Sequence, residues 1–198
     1  MPVALLPAAG ASRRMGRPKL LLPFGEGTIV GALVASLRAA GVETIALVTA
    51  PGDTALQEWA RAAGVLAAVN PEPERGMLST IRAGIAALGG AAALAMAGET
   101  LLVSPADLPS VRPETIAEVV RRREAASAPL ALPVWQGRHG HPLAIAPELI
   151  AEIGTLDPAV GLKQLRDRHA AATLWIEVDD PGAVEDVDTP EDYLELTR

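Results

Sequence analysis

The chain has 198 residues, 49% of them hydrophobic and 21% charged, which is enough apolar material for one domain with a full core and too much for a disordered chain. A net charge of −7 argues against broad nucleic-acid binding, which needs a basic face, and an aromatic content of 3% leaves no stacking platform for single strands. The absence of cysteine excludes disulfides, thiolate metal sites and a cysteine nucleophile.

The opening Met1-Pro2-Val3-Ala4-Leu5-Leu6 lacks the charged region and long apolar stretch of a secretory signal. Other apolar runs are short and broken by Gly, Pro or charge, so no membrane span is expected and the cytoplasm is the expected location. In chain order, Val3 to Leu6 reads as a buried strand stopped by Pro7. Thr28 to Ala40 has helical spacing and ends at Gly41. Thr44 to Thr49 is the next strand, Thr54 to Ala63 a helix, and Val65 to Val69 a strand followed by the loop Asn70 to Gly76. Met77 to Leu88 is a helix closed by Gly89-Gly90, and Thr100 to Ser104 is a strand stopped by Pro105. A helix over Pro113 to Arg123 has Glu114 in its first turn and Arg121 to Arg123 in its last, which suits the helix dipole. Leu130 to Trp135 and Thr173 to Val178 read as strands, and Pro147 to Ile153 and Leu162 to His169 as short helices. Thr189-Pro190-Glu191-Asp192 opens a terminal helix with Asp188 as its expected cap. Alternating strands and helices predict one α/β domain over residues 1–198, with a mostly parallel sheet and helices on both faces. Ligands of such sheets sit beyond the carboxyl ends of the strands, here the loops after Pro7, Asn70, Ser104, Trp135 and Val178.

The first loop, Ala8-Ala9-Gly10-Ala11-Ser12-Arg13-Arg14-Met15-Gly16-Arg17-Pro18-Lys19, places Arg13, Arg14, Arg17 and Lys19 within seven residues of an acidic chain. Its glycines permit the backbone angles that turn several N–H groups into one concavity, and guanidinium and ammonium groups match phosphate oxygens. The spacing fits neither Gly-x-x-x-x-Gly-Lys-Ser/Thr nor Gly-x-Gly-x-x-Gly, which disfavours a P-loop kinase and a dinucleotide-dependent dehydrogenase. Gly10, Arg14 and Lys19 are the expected triphosphate ligands, set against the alternative of a solvated basic turn.

Asp107 follows a strand and lies between Pro105 and Pro109, where a carboxylate for magnesium belongs; an Asp that hydrogen-bonds its own turn is the alternative. Asp186 and Asp188 share one face of an extended segment and supply further carboxylates, with Asp188 preferred. Ser79 and Thr80 start a helix and could meet ribose, base or phosphate, or serve only as capping residues. Asn70 could read a base edge or hold a turn. His139 and His141 lack a third ligand for zinc; they could shape an acceptor pocket or contact its phosphate, or form only a polar turn. Trp59, Trp135 and Trp175 read as packing residues, and no Gly-x-Ser-x-Gly elbow is present.

Leu6-Pro7-Ala8-Ala9-Gly10-Ala11-Ser12-Arg13-Arg14-Met15-Gly16-Arg17-Pro18-Lys19-Leu20-Leu21-Leu22-Pro23 resembles the opening motif of the MobA-like nucleotidyltransferases, and most closely their molybdenum cofactor cytidylyltransferase branch. Asn70-Pro71 with Gly76 to Gly84, Ser104 to Pro109, Gly137 to Pro142 and Asp186 to Asp192 resemble four further blocks in the same order. The resemblance implies a Rossmann-like sheet of the nucleotide-diphospho-sugar transferase kind, a nucleoside triphosphate, Mg²⁺ and release of pyrophosphate. It implies nucleotide contacts from Leu6, Pro7, Ala8, Ala9, Gly10, Ala11, Ser12, Arg14 and Lys19, with Arg14, Lys19 and Asp107 as catalytic groups and His139 and His141 shaping the acceptor site. The Ala8-Ala9-Gly10 form is similar to the cytidylyl branch, so CTP is expected over GTP, CMP being passed to a phosphate-bearing acceptor such as molybdopterin. Ala106 stands where related chains often carry Gly. A partner enzyme that receives the finished cofactor is a further expectation. Two rival readings stand beside this one: a nucleotidyltransferase for a sugar or polyol phosphate, and a non-catalytic nucleotide-binding module of a cofactor pathway.

Overall fold

The structure, a computed structural model, describes residues 1–10 and 18–197. Its strands are β1 (Val3–Pro7), β2 (Pro23–Phe24), β3 (Gly27–Thr28), β4 (Thr44–Thr49), β5 (Leu66–Val69), β6 (Leu101–Val103), β7 (Leu130–Trp135), β8 (Arg138–His139), β9 (Leu143–Ile145) and β10 (Leu174–Glu177). The helices are α1 (Ile29–Ala39), α2 (Thr54–Ala62), α3 (Met77–Ala87), α4 (Ala91–Ala97), α5 (Pro113–Ala126), α6 (Leu162–Arg168) and α7 (Pro190–Leu196), with short 3₁₀ segments that include Pro73–Arg75 and Pro147–Thr155. Among the described residues no single helix is long and apolar enough to cross a membrane.

The main sheet runs β10-β7-β9-β6-β1-β4-β5, with β8 paired to β7. Strands β6, β1, β4 and β5 are mutually parallel, as are β7 and β10, while β9 is antiparallel to both β6 and β7. The mostly parallel sheet is therefore as expected, with β9 inserted antiparallel and the short β8 also antiparallel to β7. The strand β9 was not expected because three residues carry too little period to be recognised. Helix α4, an alanine-rich turn after Gly89-Gly90, and the β2–β3 hairpin were also not anticipated.

Burial follows position in the sheet. The central strand β1 has Val3 to Leu6 all buried, because helices cover both faces of a parallel sheet, whereas the outermost strands β5 and β10 bury fewer residues. One core cluster, including Leu6, Val30, Leu33, Leu47 and Ile116, lies on one side of the sheet, and a second, including Leu5, Val48, Leu78, Ile81 and Leu132, on the other. Thr28 caps α1 by accepting from the Gly31 N–H at 3.1 Å, and Pro113 starts α5, as the sequence suggests. The cap of α7 is a correction. Thr189, not Asp188, accepts from the Asp192 N–H, and Asp192 Oδ2 accepts from the Thr189 N–H at 2.7 Å, a reciprocal capping box.

The chain runs β1, β4, β5 outward on one side and then returns to place β6 on the other side of β1. This reversal puts a crevice between the carboxyl ends of β1 and β6, where an open α/β sheet binds its ligands. The cover over that crevice is α3, which approaches β1 and β4 through Gly84. A Cβ there would stand 2.5 Å from Leu5 Cδ1 and 2.7 Å from Val48 Cγ2. Gly84→Ala is expected to lower stability by about 1–3 kcal/mol despite the better helix propensity of alanine, read as a lower urea midpoint at unchanged slope.

Candidate functional site

Lys19 lies between β1 and β2, and Asp107 on the loop after β6. Because β1 and β6 are paired in parallel, with Leu5 opposite Val103, the two loops leave the sheet side by side. A third segment arrives from after β10. The Val187 N–H donates to the Asp107 carbonyl at 3.0 Å, which sets Asp186 and Asp188 beside Asp107. Behind this junction the buried Asp180 accepts from the Arg112 N–H at 3.0 Å, the Thr115 hydroxyl at 2.7 Å and the Gly182 N–H at 3.1 Å. Gly182 packs against the Ser110 carbonyl so closely that a side chain would collide with it. The post-β6 and post-β10 loops are thus one fastened unit.

At the mouth of this unit the Lys19 ammonium lies 2.5 Å from Asp107 Oδ2 and 2.8 Å from Asp188 Oδ1. Burial alone would pull the Lys19 pKa down, but hydrogen bonds and charge from Asp107 and Asp188 together outweigh it and raise the value. Lys19 is therefore held as a cation. Asp107, Asp186 and Asp188 each offer an oxygen, and these atoms lie within 4.8 Å of one another, close enough to hold one cation. Asp107 Oδ1 is buried with no hydrogen-bond partner among the described residues. An orphaned carboxylate oxygen beside two further carboxylates is the donor chemistry of a hard divalent cation.

The cleft in front of these groups has a volume of about 460 Å³ and is lined by Pro7, Ala8, Ala9, Gly10, Lys19, Thr80, Asp107 and Asp188, among others. It also takes in Leu20, Pro73, Gly76, Met77, Pro105 and Ala106, which the sequence reading does not name as contact residues. Gly76 was legible as a turn residue, and its φ of 86° admits the loop to the start of α3. Leu6 does not reach the cleft; it is fully buried in the core, as the inward alternation of a central strand requires. Ala11, Ser12 and Arg14 lie outside the described residues, as do Arg13 and Arg17.

Asn70 and Ser79 are placed behind the cleft rather than in it. The buried Asn70 amide donates to Ser79 Oγ at 2.8 Å and to Thr80 Oγ1 at 3.0 Å, while its Oδ1 accepts from the Glu72 N–H at 3.0 Å. Ser79 in turn donates toward the Gly76 and Glu72 carbonyls. These bonds brace the loop before α3 and leave Thr80 as the one of the three that lines the cleft. His139 and His141 line a second cleft, also of about 460 Å³, which meets the first along Pro7, Met77 and Pro105. Trp175 is 37% exposed on an outermost strand rather than buried, and its ring stacks on His139 at a centroid distance of 4.5 Å.

The profile of the MobA-like NTP transferase domain matches residues 4–173. This chain belongs to that family. The MobA-like chain is 21% identical over 192 residues to the molybdenum cofactor cytidylyltransferase of Escherichia coli K12, covering 96% of this chain and 92% of that protein. It is 30% identical over 160 residues to the phosphoenolpyruvate guanylyltransferase of Nocardia farcinica, covering 81% of this chain and 66% of that protein. A Mycobacterium tuberculosis H37Rv protein crystallised with manganese shares the fold, with a TM-score of 0.70 at 23% identity over 98% of this chain and 97% of that one. Family membership makes the MobA-like chain a nucleotidyltransferase in type, and relatives of differing base and acceptor share its fold.

The three carboxylates carry an electrostatic cost. Partial desolvation of the Asp186 carboxyl, then the charges of Asp188 and Asp107, raise its pKa, although the residue as a whole is exposed. A carboxyl that binds its proton more tightly when folded disfavours folding once ionised, and this penalty fades as the pH falls through the ordinary carboxyl range near ~4. Asp186→Asn is therefore expected to raise the melting temperature at pH 7 in chelator-treated buffer, with the gain shrinking on acidification. Thermal denaturation across that pH range checks both the sign and the trend.

Proposed function

We propose that this MobA-like protein transfers CMP from CTP to a phosphate-bearing acceptor such as the molybdopterin cofactor, releasing pyrophosphate, with Mg²⁺ as the divalent ion and the cytoplasm as its location. The observation that carries the reading is the Lys19 ammonium held between Asp107 and Asp188 at the mouth of the cleft formed by Pro7 to Gly10. The CTP preference rests on the Ala8-Ala9-Gly10 form and on likeness to the cytidylyltransferase over nearly the whole chain.

In this reading the nucleotide lies along the loop after β1, its base near Pro7 to Ala9 and Thr80, its triphosphate toward Lys19 and Arg14. The Ala8 N–H is already engaged by the Val48 carbonyl at 2.8 Å, so the donors that turn toward phosphate begin at Ala9 and Gly10. Asp107 and Asp188, with Asp186 beside them, would hold the cation, which supplies charge neutralisation to the phosphates. An oxygen of the acceptor phosphate attacks the α-phosphorus in line. The new P–O bond forms as the bond to the β-phosphate oxygen breaks, and pyrophosphate carries off the electron pair. An acceptor phosphate is already ionised, so the protein needs no strong general base. Its contribution is positioning and fixed positive charge, with Lys19 and Arg14 offsetting the charge that develops on the leaving group.

Lys19→Ala is expected to lower pyrophosphate release by about 10²–10³-fold, because a preorganised charge aimed at the transition state is removed. A circular-dichroism spectrum like that of the parent would show the fold intact, and parent-like turnover would remove Lys19 from the mechanism. A thermal-shift panel of CTP, GTP, ATP and UTP with Mg²⁺, each at the same concentration, is expected to show the largest stabilisation with CTP, since a ligand that binds only the folded state raises the melting temperature by an amount that grows with the logarithm of its affinity. A larger shift with GTP would overturn the choice of base.

A further inference from the structure

None of the residues of α7 is buried, so apolar packing contributes little to its place on the protein. What fastens it is polar, and the fastenings reach both partners of one ion pair. On one side, Asp192 Oδ2 accepts from the Asp188 N–H at 3.0 Å as well as from the Thr189 N–H at 2.7 Å. On the other, the Tyr193 hydroxyl donates to the Pro23 carbonyl at 2.8 Å, across 170 residues of sequence. Pro23 directly follows a turn in which the Leu22 N–H donates to the Lys19 carbonyl at 3.0 Å. The ammonium of Lys19 in turn lies 2.8 Å from Asp188 Oδ1. These bonds close a ring that runs from Lys19 through its turn to Pro23, Tyr193, Asp192 and Asp188, and back to Lys19. A capping box needs only the exchange between Thr189 and Asp192. The bond from the Asp188 N–H and the bond to Pro23 go beyond it, and both lead to the site.

We infer that Tyr193 and Asp192 are positioning residues for the Lys19–Asp188 pair, and that α7 is a clasp that sets the two side chains against each other before a nucleotide arrives. The inference rests on the nucleotidyltransferase reading above, in which Lys19 meets the triphosphate and Asp188 the cation, and it names what holds them in register. The two come from segments with separate anchors. The Lys19 turn is tied to the start of α1, where the Val30 N–H donates to the Leu20 carbonyl at 3.0 Å and the Ile29 N–H to the Leu22 carbonyl at 3.1 Å. The Asp188 segment is tied to the loop after β6 through the Val187 N–H. Helix α7 joins one segment to the other. An ammonium on a four-carbon stem has many positions open to it, and a site that fixes it beforehand spares the ligand that ordering cost. Without the clasp a smaller fraction of the chain holds the competent arrangement, and the apparent affinity for nucleotide falls by that fraction. Neither Asp192 nor Tyr193 is among the described residues that line the cleft, so each acts through the pair.

The test joins amide hydrogen exchange of the nucleotide-free chain, followed by nuclear magnetic resonance, with calorimetric titration of CTP in the presence of Mg²⁺. In Tyr193→Phe the exchange of the Leu22, Asp188 and Thr189 N–H groups is expected to quicken by about two- to tenfold, the effect of losing one hydrogen bond, while Leu5 and Leu47 in the sheet keep the parent rate. CTP is expected to bind about two- to tenfold more weakly to Tyr193→Phe and to Asp192→Ala. Asp192→Asn is expected to bind it as the parent does, because an amide oxygen can accept the same two bonds. Leu194→Ala, at an exposed position of α7 outside the ring, is also expected to bind CTP as the parent does. A loss in Leu194→Ala as large as in Tyr193→Phe would make the effect one of helix stability and overturn the inference. Parent-like exchange at Leu22 and Asp188 in Tyr193→Phe, parent-like or tighter CTP binding by that variant, or no recovery in Asp192→Asn overturns it as well. A parent chain that binds no CTP would instead overturn the nucleotide reading, and the exchange rates would still decide whether α7 clasps the pair.

Discussion

Two parallel strands, β1 and β6, lie side by side at the point where the sheet reverses its order, and their pairing fixes where Lys19 and Asp107 can be. Parallel neighbours end at the same edge, so the loop that carries Lys19 and the loop that carries Asp107 must emerge together. The backbone bond from Val187 to Asp107 then adds the segment after β10 to the same edge. A backbone bond is a firmer anchor than a contact between long side chains, because it leaves no rotamers to lose. Asp180 extends this anchorage: one buried carboxylate accepts three hydrogen bonds from the segment that begins α5 and from its own turn. The functional carboxylates can therefore be crowded together, since the frame that holds them does not rely on them.

That crowding gives the site its electrostatic character. Three carboxylates converge in a chain whose net charge is already −7, and the ammonium of Lys19 is drawn into the gap between two of them. The arrangement balances charge locally but leaves Asp107 Oδ1 buried and unpaired. Carboxylates crowded in this way disfavour the folded state, which is the ordinary relation between a preorganised site and folding stability. The neighbouring cleft has the opposite bias, an apolar floor with a cationic wall. The two adjoining compartments thus differ in the sign of the charge that lines them.

Much of this was legible from residues. The strands Thr44 to Thr49 and Leu130 to Trp135 and the start of α5 at Pro113 were fixed by apolar runs and by proline, which act over a few residues. Lys19 and Asp107 were legible because glycine, proline and charge mark loops after strands. Other features depended on long-range contacts. Asp188 reads both as a metal carboxylate and as a cap, because Asp precedes Thr-Pro-Glu, but Thr189 caps α7 and the Asp188 carboxylate faces Lys19, 169 residues away in sequence. Leu6 belongs to the opening motif yet points into the core, and Asn70 and Ser79 brace a loop behind the cleft. Trp175 looked like a core residue, and only the place of β10 at the outside of the sheet exposes it to stack on His139.

The sequence by itself determined the family, the mostly parallel α/β sheet and the chemical character of the basic first loop and the acidic loops, because periodicity, turn residues and ordered motifs are local properties of a chain. Tertiary structure alone decided which of those residues share a cleft. It inserted β9 against its neighbours' direction, separated His139 and His141 from the first cleft, and set Lys163 and Arg166 of the short helix α6 beside them. The physical reason is that a cleft is defined by the mutual placement of distant strand ends. That placement follows from the packing of the whole core and leaves no mark on any one segment of the sequence.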